Sequence, residues 1–162
     1  MYFYLMVKYK DAFVVFEEIP DKVSLAINIT NCQNRCKGCH SPELRCDIGR
    51  ELTNKEIDNL IKDNDGINCI IFMGEGNDIN GIVKLAEHIK NTYHEMALAI
   101  YSGRESVEQK IWENFDYVKI GPYMEEFGPL NKETTNQKLY EVRHKDMGYE
   151  TTDITYKFWK RA

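Results

Sequence analysis

The sequence lacks a long apolar run, a basic stripe and a regular set of paired cysteines, and each absence excludes a class of protein. No apolar run approaches the roughly 18 residues that a membrane helix needs, so we expect no membrane-spanning segment. The net charge is −5 and the basic residues are scattered, which is a poor composition for binding nucleic acid. Five cysteines, three of them bunched together, do not form the pattern of a disulfide framework.

The amino-terminal segment also lacks the features of a secretory leader. Residues 1–6 are apolar but too few for a signal peptide, and they have neither a basic flank nor a cleavage site. A cluster of free thiols also requires a reducing compartment. We therefore expect a cytoplasmic protein. The length of 162 residues predicts a single domain over 1–162 that is large enough to bury a core.

Strand and helix patterns alternate along the chain. Strands are predicted over 14–17, 24–28, 67–73, 96–101 and 117–120, and helices after Thr53, over 79–89 and over 106–113. Such alternation predicts parallel βαβ units. Because the chain is too short for a closed eight-stranded barrel, we predict an α/β fold, a partial, open (β/α) barrel of five to six mainly parallel strands.

Four loops follow the predicted strands, over 32–40, 74–77, 102–104 and 121–123. Ligands of such folds bind at the carboxyl ends of the strands, so these loops predict one shared site. Residues 121–137 form a long loop of the kind that is often functional. The amides of Asn136 and Gln137 suit either a ligand contact or a satisfied turn.

Cys32, Cys36 and Cys39 have the spacing C-x3-C-x2-C. Three thiolates can hold three corners of a cubane iron–sulfur cluster, which leaves the fourth iron open to bind and reduce a substrate. From spacing alone, other interpretations stay open. With His40 or Cys46 the three cysteines could bind zinc, although a second C-x2-C pair is lacking. Cys36 and Cys39 could form a thioredoxin-like redox pair, or all three could be unrelated buried thiols.

Together with its neighbouring segments, the triplet resembles the radical S-adenosylmethionine (SAM) superfamily. The cysteine loop after the first core strand is followed by a Gly/Glu loop after the next strand. Over nearly its whole length the chain resembles, more narrowly, the activating proteins of anaerobic ribonucleotide reductase. The segments that carry this resemblance are Phe16-Glu-Glu-Ile-Pro-Asp21, Leu25-Ala-Ile-Asn-Ile-Thr30, Cys36-Lys-Gly-Cys-His-Ser-Pro42, Gly128-Pro-Leu-Asn131 and Thr134-Thr-Asn-Gln137.

The resemblance implies an enzyme that activates a partner protein. A [4Fe-4S] cluster would be held by Cys32, Cys36 and Cys39, whose catalytic role would be to ligate it. S-adenosyl-L-methionine would bind to the open iron of the cluster. Cleavage of SAM would give a 5′-deoxyadenosyl radical, which would take a hydrogen from a glycine. The implied partners are the large subunit of anaerobic ribonucleotide reductase and a flavodoxin-like or ferredoxin-like electron donor.

The resemblance also implies contacts with SAM. Gly74 and Glu75 fall where the superfamily has a Gly-Gly-Glu loop, although Met73 replaces the first glycine. Ser102 and Gly103 resemble a family segment near the ribose and methionine of SAM.

Lys119 and His40 are two further candidates for cofactor contacts. Lys119 ends a strand and would either meet a carboxylate or extend its amine to solvent. Gly38 stands where many superfamily members have an aromatic residue that stacks toward adenine. His40 would take over part of that packing or donate a hydrogen bond beside the cluster.

Two other functions stay open at this point. One is a small radical SAM enzyme with a small-molecule substrate, similar to a deazapurine synthase, in which loop 121–137 would supply substrate ligands. The other is a non-catalytic interaction module stabilised by zinc. Cys69 lies in a predicted buried strand, where we expect it to be a small core residue.

Overall fold

The sequence folds into an open mixed sheet that carries its helices on one face. The computed structural model describes residues 5–34, 39 and 41–159. The strands are β1 (Lys8–Val15), β2 (Ser24–Ile29), β3 (Arg50–Glu51), β4 (Cys69–Met73), β5 (Ala97–Tyr101), β6 (Tyr117–Ile120), β7 (Lys138–Lys145) and β8 (Gly148–Asp153). The helices are α1 (Asn54–Asp63), α2 (Ile79–Thr92) and α3 (Gln109–Asn114), and 3-10 turns span Pro42–Arg45 and Thr155–Phe158.

Parallel strands form the centre of the sheet. Among the described residues, eight strands pair in the order β3-β1-β2-β4-β5-β6-β7-β8. The pairings among β2, β4, β5 and β6 are parallel, and those of β1, β3, β7 and β8 are antiparallel. The predicted α/β class and the open sheet are confirmed. The expected five to six mainly parallel strands are wrong, because the described sheet has eight strands and is only partly parallel. The curvature of a partial barrel stays a prediction.

The strands that the sequence does not predict bury few residues. Strand β3 has two residues, both exposed, and most residues of β7 and β8 are exposed as well. Strand β1 begins well before the predicted residue 14, and a bulge between Tyr9 and Ala12 interrupts its alternation. A continuous apolar run therefore identifies only the central strands, which are buried on both faces.

The two faces of the sheet have different cores. Helices α1, α2 and α3 bury Ile57, Ile82 and Ile111, among others, against one face. On the other face, Ile19 from the β1–β2 loop and Phe158 from the last turn pack over Cys69 and its neighbours. Cys69 is fully buried there, so its expected place in the core is confirmed.

Side-chain caps fix where the helices begin. The Thr53 hydroxyl accepts a hydrogen bond from Glu56 N over 3.1 Å, which confirms the predicted start of α1. Asp78 caps α2 in the same way through Gly81 N, over 3.0 Å. None of the helices in the described ranges is long and apolar enough to cross a membrane.

Candidate functional site

A cleft of about 910 Å³ lies at the carboxyl ends of the parallel strands. It is lined by residues from all four predicted loops, including Cys32, Cys39, Gly74, Glu75, Gly103, Arg104 and Tyr123, and by Gln137 ahead of β7. These loops are up to about ninety residues apart in sequence. They meet at one edge of the sheet because the carboxyl ends of parallel strands lie there.

A row of paired residues forms one side of this cleft. Strand register pairs Asn28 with Met73, Met73 with Tyr101, and Tyr101 with Lys119. All four residues line the cleft. Because these strands end level with one another, the loops that follow them begin side by side.

The backbone around Cys32 is held by the turn over 42–46. Cys32 N donates to Leu44 O over 2.9 Å, and Asn31 N donates to Cys46 O over 3.3 Å. Asn31 adopts a positive φ of 63°, a conformation that asparagine tolerates better than most residues. These contacts turn the chain out of β2 so that Cys32 reaches the cleft.

The described cysteines of the triplet, Cys32 and Cys39, are half-buried thiols without a disulfide. Cys36 and His40 lie outside the described residues, so their roles stay predictions. Cys46 is exposed and is not among the residues that line the cleft. Its position gives no support to a role as fourth ligand.

Glu75 is held in place by the neighbouring loop. The Ser102 hydroxyl donates to Glu75 Oε2 over 2.9 Å, and Arg104 Nε lies 3.2 Å from the same oxygen. Burial raises the pKa of Glu75, while the Ser102 hydrogen bond and the Arg104 charge oppose that rise. Gly74 and Gly76 on either side have φ of 115° and 62°, so a side chain at either position would strain the backbone.

Ser102 and Gly103 have different places in the cleft wall. Ser102 is fully buried, and its hydroxyl already binds Glu75 and accepts from Arg104 N over 3.1 Å. It supports the wall through Glu75, and a direct contact with SAM stays a prediction. Gly103 lines the cleft and packs against the side chain of Asn34.

The Lys119 amine is enclosed by polar groups at the cleft. Only 7% of the residue is exposed. Nζ donates to Ser102 O over 3.1 Å and to Gly121 O over 2.9 Å, and it lies 5.8 Å from the centre of the Tyr101 ring. Of the two expectations for this residue, an amine extended to solvent is wrong, because these carbonyls and the ring compensate a buried cation. Contact with a ligand carboxylate stays a prediction.

Two residues of the cleft, Arg104 and Tyr101, have roles that the sequence does not reveal. Arg104 pairs with Glu75, and its only signal is its position at the end of a predicted loop. The Tyr101 hydroxyl donates to Glu18 O and ties the β1–β2 loop to the cleft wall. Gln137 closes a turn, because its Nε2 donates to Gly121 O over 3.3 Å; the residue also lines the cleft, and its contact with a ligand stays a prediction.

The described residues fit an iron–sulfur cluster with a small charged ligand beside it. Thiolates are the usual ligands of such clusters, and two free thiols open on the same cleft. Gly74 has a positive φ and no side chain, so its backbone polar groups are not covered by a β-carbon at the cleft. Glu75 and Lys119 supply charge of both signs within the same cleft.

Comparison with known proteins gives one match. A protein-family model described as a 4Fe-4S single cluster domain matches residues 23–142, which include the cysteine triplet and the loops of the cleft. Searches of curated proteins and of solved structures found no match. The family description favours the cluster over a zinc site and over a thioredoxin-like thiol pair.

Proposed function

The chain belongs to the 4Fe-4S single cluster domain family, and on this premise we propose that it activates an anaerobic ribonucleotide reductase by generating its glycyl radical. The family binds a 4Fe-4S cluster, with SAM as its typical co-substrate, and the chain is accordingly a radical SAM enzyme. The resemblance of segments 16–21, 128–131 and 134–137 to reductase activases supports the narrower proposal.

The observation that carries the proposal is the shared cleft of the cysteine loop and the Gly74–Glu75 loop. Cys32, Cys36 and Cys39 would hold the cluster through three thiolates. When bound and reduced, the cluster would supply the electron for reductive cleavage of SAM, and the adenosyl fragment would take a hydrogen atom from a glycine Cα.

The contribution of the protein is to position the reactants and to exclude water. Ser102 and Arg104 hold the Glu75 carboxylate at one place in the wall, so Glu75 offers a fixed acceptor for a cationic amino group. The Lys119 amine lines the same cleft, where it would attract a ligand carboxylate. Apolar lining residues, among them Met73 and Leu130, lower the local polarity and strengthen both interactions.

An anaerobic reconstitution tests this function directly. The protein loaded with iron and sulfide is mixed with a reductant, SAM and the purified anaerobic reductase of the same organism. We expect a glycyl radical in the electron paramagnetic resonance spectrum, together with 5′-deoxyadenosine. Cys36→Ala abolishes both products, whereas Cys46→Ala, a change at an exposed cysteine away from the cleft lining, retains them.

Two results would contradict the proposal in different ways. If 5′-deoxyadenosine forms but the reductase acquires no radical, the chain is a radical SAM enzyme with another substrate, such as a small molecule. If the anaerobically purified protein is colourless and holds stoichiometric zinc, the radical mechanism itself is wrong.

A further inference from the structure

Gln137 carries a hydrogen-bond acceptor that the described part of the chain leaves unused. The residue lines the cleft although only 7% of its surface is exposed. Its Nε2 donates to Gly121 O. Oε1 is therefore the end of the amide that does not face this carbonyl. No described residue donates to its Oε1, and that oxygen is not sealed inside the protein. Oε1 is therefore the end that is left for a ligand.

The surroundings of Gln137 hold this acceptor rigidly. Lys119 Nζ donates to the same Gly121 carbonyl over 2.9 Å. Gly121 has a φ of 102°, and a β-carbon there would lie 3.1 Å from Gln137 Cα, so only glycine fits this close approach. Next to it, Asn136 Nδ2 donates to Pro122 O over 2.9 Å. An acceptor fixed in advance loses little entropy when a ligand binds.

Gln137 lies at the end of the cleft opposite the cysteine loop. The cysteines follow β2, and Gln137 immediately precedes β7, four strands away in the sheet. At about 4.8 Å per strand, that separation is roughly 19 Å along the sheet. The loops after β4 and β5, which are the expected SAM contacts, lie between these two ends. A ligand at Gln137 is therefore on the far side of the SAM loops from the cysteines.

The lining of the cleft also includes apolar side chains. Tyr123, Pro129 and Leu130 line it together with Gln137. A fixed acceptor in a cleft with apolar side chains suits an extended peptide, which offers a main-chain N–H at nearly every residue and places side chains in neighbouring pockets.

We propose that Gln137 Oε1 accepts a hydrogen bond from a main-chain N–H of the partner's glycine-containing segment, and that Gln137 thereby helps to select the partner. The inference rests on the proposed activase function. A partner segment that cannot donate a hydrogen bond at this position leaves a mostly buried acceptor oxygen unpaired. Such an unpaired group is the usual source of strong discrimination between binding partners.

Binding measurements on the cluster-loaded protein test this role. Gln137→Met removes both polar ends of the amide at nearly constant size. The matched control is Gln109→Met, because Gln109 is exposed on α3 and bonds only Glu113 of the same helix. The dissociation constants for the purified anaerobic reductase and for SAM are measured anaerobically for each variant.

We expect Gln137→Met to weaken binding of the reductase about tenfold, as the loss of one hydrogen bond predicts. Binding of SAM changes by less than about threefold, and Gln109→Met behaves as the unaltered protein. If Gln137→Met does not fold, Gln137→Asn replaces it, because its shorter side chain withdraws the acceptor by one methylene.

Each other outcome overturns the inference. A loss of SAM affinity equal to the loss of reductase affinity means that Gln137 contacts the cofactor. Unchanged affinity for the reductase means that the amide only closes the turn. If the unaltered protein does not bind the reductase at all, the proposed function fails first and the inference fails with it.

Discussion

The side chain of Asn34 occupies the space beside Gly103 that any larger residue would need. A β-carbon at Gly103 would lie 2.6 Å from Asn34 Nδ2, well inside van der Waals contact. The loop that carries the cysteines is thereby packed on the loop that follows β5.

This contact predicts that Gly103→Ala loosens the cysteine loop. The added methyl group displaces the Asn34 side chain, at a cost of about 1 kcal/mol. We expect iron loss from the reconstituted protein to a chelator to be roughly fivefold faster. The double variant Asn34→Ala/Gly103→Ala is the control: Asn34 Cβ would lie 3.5 Å from the new methyl group, so truncation relieves the clash. Equal rates of iron loss in the single and double variants would contradict the packing argument.

Two cysteine substitutions separate three-ligand from four-ligand binding. Cys39→Ser removes one predicted ligand that lines the cleft, and we expect it to lose most of the bound iron and the brown absorbance. Cys46→Ser alters an exposed thiol and retains iron and sulfide at the level of the unaltered protein. Iron and sulfide assays after identical anaerobic reconstitution measure the difference. Loss of the cluster in Cys46→Ser would assign that thiol a ligand role and exclude an open iron.

Cys69 is expected to resist alkylation in the folded protein. Burial raises the pKa of its thiol to about 11, so near pH 8 only about one molecule in a thousand carries the reactive thiolate. Mass spectrometry after brief treatment with iodoacetamide should show Cys46 modified and Cys69 unmodified. In guanidinium chloride both are modified. If Cys69 reacts as fast as Cys46 in the native protein, its burial against the sheet is wrong.

A pH-dependent contact joins α1 to α2. Asp58 Oδ1 accepts hydrogen bonds from His88 Nε2 and from the Tyr93 hydroxyl, each over 2.8 Å. Burial raises the pKa of Asp58, but these two partners outweigh it and leave the pKa below its ordinary value. The carboxylate therefore stabilises the fold above its unfolded-state pKa, and this contribution disappears as pH falls through the lower, folded-state value.

We expect Asp58→Asn to lower the free energy of unfolding by at most about 1 kcal/mol near neutral pH, because the side chain is partly exposed and screened. The difference shrinks toward zero below about pH 3.8, the ordinary pKa of aspartate. Urea titrations of the metal-free chain at several pH values measure it. Asp63→Asn, which removes a carboxylate at the exposed end of the same helix, is the matched control. A difference that persists in acid would contradict the assignment.

The central features of the site follow from local sequence patterns. The cysteine spacing lies within one loop, and strands buried on both faces appear as continuous apolar runs, as in Ile70 and Ile71 of β4. The ends of these strands then indicate the loops that meet at the cleft.

The remaining contacts depend on register and on edge strands. The pairing of Met73 with Tyr101 sets Glu75 beside Ser102 and Arg104, and no local pattern specifies which residues of two strands lie side by side. Gln137 reaches the cleft because Lys138 pairs with Ile120, at a strand whose exposed residues give no apolar signal. Contacts between Asn34 and Gly103 have the same origin, since only the three-dimensional arrangement of two loops creates them.

The open sheet has consequences for how the protein behaves at high concentration. Its described edges are β3 and β8, which present unpaired main-chain groups that another chain could extend into a larger sheet. Strand β3 is only two residues long, and β8 carries Glu150 and Asp153, paired with Lys145 and Lys138 of β7. The charges on β8 disfavour the addition of a foreign strand at that edge. At the other edge, β3 covers only Lys8 and Tyr9 of β1 and leaves the remaining residues of that strand uncovered in the described part of the chain, so a foreign strand is expected to add there rather than at β8.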